Sequence, residues 1–452
     1  MQAQEGTLGH DGRSDSVPGN SIKLEQDHDD DSNNKAHDLN GEKEAQVLKD
    51  AGPPDGGFAA WLVVAGAWCC SFSAPGWVNS VGSFQQYYEV GPLRGYSSST
   101  ISWIPSLQIF FLFFMGPVVG FLFDKYGPRP LIIAGTLLHV FGLMMASLAT
   151  TYYQILLAQG VCSAIGVAFI YQPALACIST WFTQKRGLAM GILTTGSSVG
   201  GVIFPIMISR MIQSAGYGWT LRTAAFIILG LQIVAILTVR SRTKPVPKSM
   251  PKGRLAAPFT EIPFLLLMLG ILVLTFGIFL PVVYLAAQGY QEAHVSEEFS
   301  QYLVSIFNAA SLFGRLATGF FADRIGRWNM FIIACILSGV AQLAVWIPAT
   351  TPSIAIGFAI FFGVASGAFI GLSGALPMSV SPPAEIGYRL GVVYLVLAAP
   401  ALALGPIGGA ILQSSGGWLG VKLFGGIMCL AGALVVLASR LLYSDKKLLK
   451  VF

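Results

Sequence analysis

The chain has 452 residues, of which 54% are hydrophobic and only 11% charged, and its mean hydropathy is +0.65. A soluble domain carries about 25% charged residues, so a soluble enzyme or binding module is excluded for the bulk of the chain. Of its 22 Asp and Glu, 13 fall in the first 55 residues, leaving nine (22 − 13) for the other 397 (452 − 55). The balance is that of an integral membrane protein preceded by an acidic segment.

In chain order, residues 1–55 come first. "DHDDDSNNKAHDLNGEKEAQ" has few apolar residues and no period, so a disordered acidic cytoplasmic tail is expected. A basic start, an apolar core and a small-residue cleavage site are missing, so it is not read as a secretory signal. A bilayer core of roughly 30 Å needs about 20 apolar residues per helix. Twelve such runs follow, near 58–81, 99–122, 130–149, 153–178, 187–209, 220–239, 263–286, 300–321, 329–348, 353–376, 389–412 and 420–442. All six cysteines fall inside these runs and show no disulfide or zinc spacing; they read as small buried hydrophobes.

Basic residues orient the spans. With the N-terminus inside, the even-numbered connections hold Lys125, Arg129, Lys185, Arg186, Arg324, Arg327 and Arg389. The central connection "RSRTKPVPKSMPKGR" (240–254) adds six more and no acid. The outer connections hold only Arg94, Arg210, Arg222 and Lys422. Thirteen against four is a positive-inside bias, so both termini are expected in the cytoplasm. The expected organisation is a tail (1–55), a six-helix half (56–239), a basic linker (240–260), a second six-helix half (261–443) and a short cytoplasmic end (444–452).

A repeat supports the halves. "GFLFDKYGPR" (120–129) after the second run and "GFFADRIGR" (319–327) after the eighth share Gly-x-x-x-Asp-x-x-Gly followed by Arg, 199 residues apart. Six runs separate them, so both copies face one side and the halves are parallel repeats. Gly127 and Gly326 permit a tight turn. Asp124 and Asp323 sit at helix C-termini, where a negative charge needs a compensating cation.

The doubled motif resembles the cytoplasmic loop motif of the major facilitator superfamily. That resemblance implies an all-α membrane fold of twelve helices in two repeats, moving a small solute by alternating access. It also implies that Gly120, Asp124, Gly127, Arg129, Gly319, Asp323, Gly326 and Arg327 form a gate that latches the halves. "PPDGGFAAWLVVAGAW" (53–68) and "WFTQKRGLAMGI" (181–192) are similar to the two recurring stretches of the monocarboxylate porter family, and the tail and short central loop fit its fungal branch. That branch includes proteins resembling riboflavin and organic-acid carriers, and many members sit beside secondary-metabolite pathways.

Charge inside a membrane is costly, so Arg315 in "FNAASLFGRLATGFF" is the first candidate for substrate contact. It lies eight residues, about 12 Å, before Asp323, and a guanidinium suits a carboxylate. Animal monocarboxylate carriers have an arginine at the matching position, which implies the same task here. Asn308 is two turns away on the same face. His139 is a candidate proton relay or an interhelical hydrogen-bonding residue. Tyr171, Gln172 and Tyr394 are polar groups at membrane depth, equally readable as packing contacts. Asn79 falls where animal carriers have a lysine, and Ser311 where they have an aspartate. A strict proton–lactate symporter is therefore disfavoured, and facilitated movement or coupling through His139 stays open. Gly196 and Gly200 offer a small-residue face, and Pro205 a bend.

The expected function is a secondary or facilitative carrier, exporting a fungal metabolite or organic anion, with uptake of a monocarboxylate or vitamin as the alternative. A nutrient sensor on the same fold is disfavoured by the short end after "SDKKLLK". No nucleotide loop, nucleophile elbow or metal set is present, so neither an enzyme nor an ATP-driven pump is expected. Expected partners are a small molecule, the lipid bilayer and, as a coupling ion, protons, with no cofactor and no nucleic acid. A monomer is expected, in the plasma membrane or else a vacuolar or other internal membrane.

Overall fold

A computed structural model describes residues 54–242, 252–444 and 447. Residues 1–53, the middle of the expected linker (243–251) and all but two residues of the expected C-terminal end lie outside the described residues. Among the described residues there are eleven apolar helical stretches long enough to span a bilayer. The longest, Arg186–Thr238, is two helices joined at Gly216, whose φ of 80° no right-handed helix can contain. The count of crossings is therefore 11 + 1 = 12, as the hydropathy pattern predicts.

We label the crossings in chain order: α1 (Phe58–Val78), α2 (Ser99–Tyr126), α3 (Pro128–Ala146), α4 (Tyr152–Ile178), α5 (186–215), α6 (217–238), α7 (Ile262–Gln291), α8 (Glu297–Ile325), α9 (Arg327–Trp346), α10 (Pro352–Leu372), α11 (Ile386–Gln413) and α12 (Gly417–Tyr443). Proline occupies the first turn of α3, α7 and α10, where its missing N–H costs nothing. The expected turn glycines behave as read: Gly127 (φ 76°) ends α2 and Gly326 (φ 103°) ends α8, each donating its N–H back to the preceding turn. Large apolar side chains such as Leu137 (66% exposed), Phe313 (66%) and Leu237 (70%) point outward, as a lipid-facing surface requires.

Within each half, α5 packs along α1 and α7 along α12. Gly196 and Gly200 serve the first of these contacts. A Cβ on Gly196 would come within 2.9 Å of the Phe72 nitrogen, and one on Gly200 within 2.8 Å of the Gly76 Cα. They pack within one half rather than between halves. Two other pairs join the halves, α5 with α8 and α2 with α11. On α5 and α8, Gly187, Gly191 and Gly319 bring the backbones together. On α2 and α11, Gly116 and Gly120 meet Gly391 and Gly387 so closely that a methyl group on Gly116 would run into the Gly391 carbonyl.

Candidate functional site: a polar seam between the halves

The repeat motifs sit at one end of the bundle, here called the motif face, and each reaches across to the other half. Asp323, at the end of α8, accepts the Gly187 N–H (2.8 Å) on one carboxylate oxygen and the Leu188 N–H (2.9 Å) on the other. Asp124, at the end of α2, accepts the Gly387 N–H (3.0 Å) and the Tyr388 N–H (2.8 Å). Each aspartate thus satisfies orphan donors in the first turn of α5 or α11. The compensating positive charge is chiefly that helix N-terminus. The expected compensating cation is present in part at Asp323, where Arg327 stands 3.4 Å away. Arg327 also donates to the carbonyls of Thr183 and Gln184 in the first half. Its twin Arg129 instead reaches the Leu237 carbonyl (3.4 Å) within its own half, so the two copies differ in what their arginines do.

Above Asp323 the α5–α8 contact is a line of polar contacts. Arg315 donates through Nη1 to the Thr194 carbonyl and the Ser197 hydroxyl. Its side chain is 1% exposed, and its Nε is buried with no acceptor among the described residues. No carboxylate pairs with it among those residues. Next come the Ser198 and Ser311 hydroxyls, 2.9 Å apart. Beyond them Asn308 and Asn79 converge over Gly201, where a Cβ would lie 3.0 Å from Asn308 and 2.7 Å from Asn79. Asn79 donates to the Ser197 carbonyl (3.2 Å) and is exposed. From Gly187 to Gly201 the seam runs about 21 Å at the helical rise.

Tyr171 on α4 and Tyr394 on α11 pair with each other across the halves, and Tyr171 stands close to Arg315. The structure therefore gathers Arg315, Asn308, Asn79, Tyr171 and Tyr394 where the halves meet. His139 and Gln172 are placed elsewhere. His139 is fully buried, with Nδ1 2.8 Å from the Ser163 hydroxyl and Nε2 3.2 Å from the Ser73 carbonyl. A carbonyl only accepts, so Nε2 carries a hydrogen, and with Nδ1 on the Ser163 hydroxyl the ring ties α1, α3 and α4 together. Gln172 donates to the Leu112 carbonyl (2.7 Å), also inside the first half.

The two stretches 53–68 and 181–192 form one cluster. Asp55 accepts the N–H groups of Thr183 (2.6 Å), Gln184 (2.7 Å) and Lys185 (3.1 Å) on a single oxygen, and donates its own N–H to the Trp181 carbonyl. The seam residues Thr194, Ser197 and Ser198, and Gly116, Gly387 and Gly391 of the α2–α11 contact, are not singled out by the sequence, whereas their partner Gly120 belongs to the repeat motif. One signal was available: "RGLAMG" (186–191) and "IGYRLG" (386–391) lie 200 residues apart and carry matching glycines.

A twelve-helix bundle whose halves are clasped by twin motifs is what the comparisons with known proteins match. The model of the Major Facilitator Superfamily covers residues 56–293 and 267–451. The chain belongs to that superfamily. It is 67% identical over 410 residues to the fujikurins efflux protein of Gibberella fujikuroi, covering 90% of this chain and 88% of that one. It is 53% identical to the MFS transporter asaE of Aspergillus flavus (88% and 90% covered) and 38% identical to the agnestins efflux protein AgnL12 of Paecilomyces divaricatus (88% and 91%). Among solved structures, the E. coli fucose:proton symporter superposes with a TM-score of 0.66 at 13% identity (84% and 99% covered), a likeness of fold. The protein is a multi-pass transmembrane transporter of small solutes and not an enzyme.

Proposed function

We propose that the chain exports a small acidic organic metabolite, its two halves (56–239 and 261–443) opening alternately to either side of the membrane around Arg315. The observation that carries this is an arginine buried between the halves with no carboxylate beside it among the described residues. A guanidinium so placed is held by a carbonyl and a hydroxyl, weaker acceptors than an anion. A deprotonated solute entering between the halves offers the charge-assisted partner that the protein withholds. Several relatives are named as efflux proteins, which supports the export direction. The uneven basic residues support a cytoplasmic motif face and cytoplasmic termini, and export supports the plasma membrane. The contact between 53–68 and 181–192 supports kinship with monocarboxylate porters, whereas Asn79 and Ser311 stand in place of two charges of their proton-linked members. Acidic groups in the bundle lie at helix ends, so the reading is exchange or facilitated movement without a mid-membrane carboxylate.

The test is metabolite partition in a strain lacking this chain. The acidic product is expected to accumulate in cells and fall in the medium. Re-expressed wild-type protein restores export, and Arg315→Ala at equal surface abundance does not. Unchanged partition contradicts the reading, and a rise in the medium identifies uptake.

A further inference from the structure

The turns that receive Asp323 and Asp124 are each held from a second side, by the residues that lead into the same half. In the first half Asp55, just before α1, gathers the N–H groups of Thr183, Gln184 and Lys185, which directly precede the Gly187 and Leu188 donors of Asp323. The carbonyls of Thr183 and Gln184 are the ones that Arg327 takes from the other half. In the second half Glu261, just before α7, holds both terminal nitrogens of the buried Arg389 (2.7 and 2.6 Å), and Glu385 takes its Nε (3.0 Å). Leu255, also ahead of α7, accepts the Tyr388 hydroxyl (3.0 Å), and Arg254 stands 3.8 Å from Glu385. Those residues flank the Gly387 and Tyr388 donors of Asp124. The chemistry differs between the halves, a backbone cradle in one and an ion cluster around the buried Arg389 in the other, but the placement is the same.

We infer that Asp55 and the Glu261–Arg389–Glu385 set are positioning residues of the transport cycle. Each presets the turn onto which the opposite half's aspartate closes, and so sets how long the motif face stays shut. Without Asp55 three N–H groups lose their acceptor, the turn relaxes, and Asp323 and Arg327 meet donors and carbonyls that are no longer aligned. Without Arg389 the buried Glu385 keeps only the exposed Arg254 and the partly exposed Glu261 loses its partner, and the charge left uncompensated on Glu385 repels Asp124 from α11.

The inference rests on alternating access but on no particular substrate, so the test needs none. Full-length protein in nanodiscs, open to reagent on both faces, carries one reporter cysteine. At the motif face this is Met378→Cys, a buried position (2% exposed); at the opposite opening it is Asn79→Cys. Maleimide labelling is measured above that of the reporter-free parent. Asp55→Ala and Arg389→Met are each expected to speed labelling at 378 by about tenfold, as loss of a charge-assisted hydrogen bond implies, and to slow it at 79. Asp55→Asn, which keeps an acceptor oxygen, is expected between parent and Asp55→Ala. Parent-like labelling at both reporters overturns the inference. Faster labelling at both overturns it too, because that marks a loosened fold rather than a shifted gate.

Discussion

At Arg315 one guanidinium nitrogen serves a helix carbonyl and a hydroxyl while Nε has no acceptor among the described residues. On the proposed reading, replacing it with alanine removes the charge offered to the substrate, and export of the acidic product is expected to fall at least about tenfold. Arg315→Lys keeps the charge but loses the planar fork, so it is expected to export more than Arg315→Ala and less than the parent. Both are read as product released per transporter at the surface. His139 gives the opposite expectation. Its two nitrogens are committed to Ser163 and Ser73, so His139→Ala is expected to destabilise by about 1–3 kcal/mol, seen as earlier thermal unfolding in detergent. Export per folded molecule, and its dependence on pH, are expected to stay as in the parent. A pH profile altered by this substitution would place the proton path through His139.

Between elements, contact depends on the absence of side chains. A Cβ on Gly391 would run into the Gly116 carbonyl, so Gly391→Val is expected to push α11 off α2 and prevent the motif face from closing. The measurement is faster cysteine labelling at that face together with lost export. Gly196→Val, on the α5–α1 contact within one half, is expected instead to lower stability, because it leaves the inter-half contacts in place. This contrast shows where the sequence is legible and where it is not. Span number and the turn glycines follow from hydropathy and from positive φ, both local properties, whereas the ends of the spans shift by several residues, as where α5 runs to 215 and α7 to Gln291. The parallel halves follow from the repeat of 120–129 in 319–327. The partners of each glycine do not follow, since small-residue spacing on α5 reads the same whether the neighbour is α1 or α8. Arg315 and Asn308 were legible as a pair because they share a helix. Ser198 and Ser311 were not, because an interface hydroxyl on one helix looks like any other until the second helix is placed.

For the molecule as a whole, the seam and the twin motif contacts join the halves in one arrangement, and the proposed alternating access requires leaving it. Each latch is an aspartate on a helix N-terminus, so Asp124→Asn combined with Asp323→Asn weakens both without removing the acceptors. That double variant is expected to favour an open motif face, by more than either single change, in the same labelling assay. The most direct test of the account joins the halves at the middle of the seam. Ser198 on α5 and Ser311 on α8 face each other at 2.9 Å between hydroxyl oxygens, close enough for a Ser198→Cys, Ser311→Cys pair to form a disulfide. The account predicts that oxidation links this pair and stops export of the retained metabolite, and that reduction restores it. Export that continues at the parental rate in fully cross-linked protein would contradict it, since the halves would then move solute without parting along the seam.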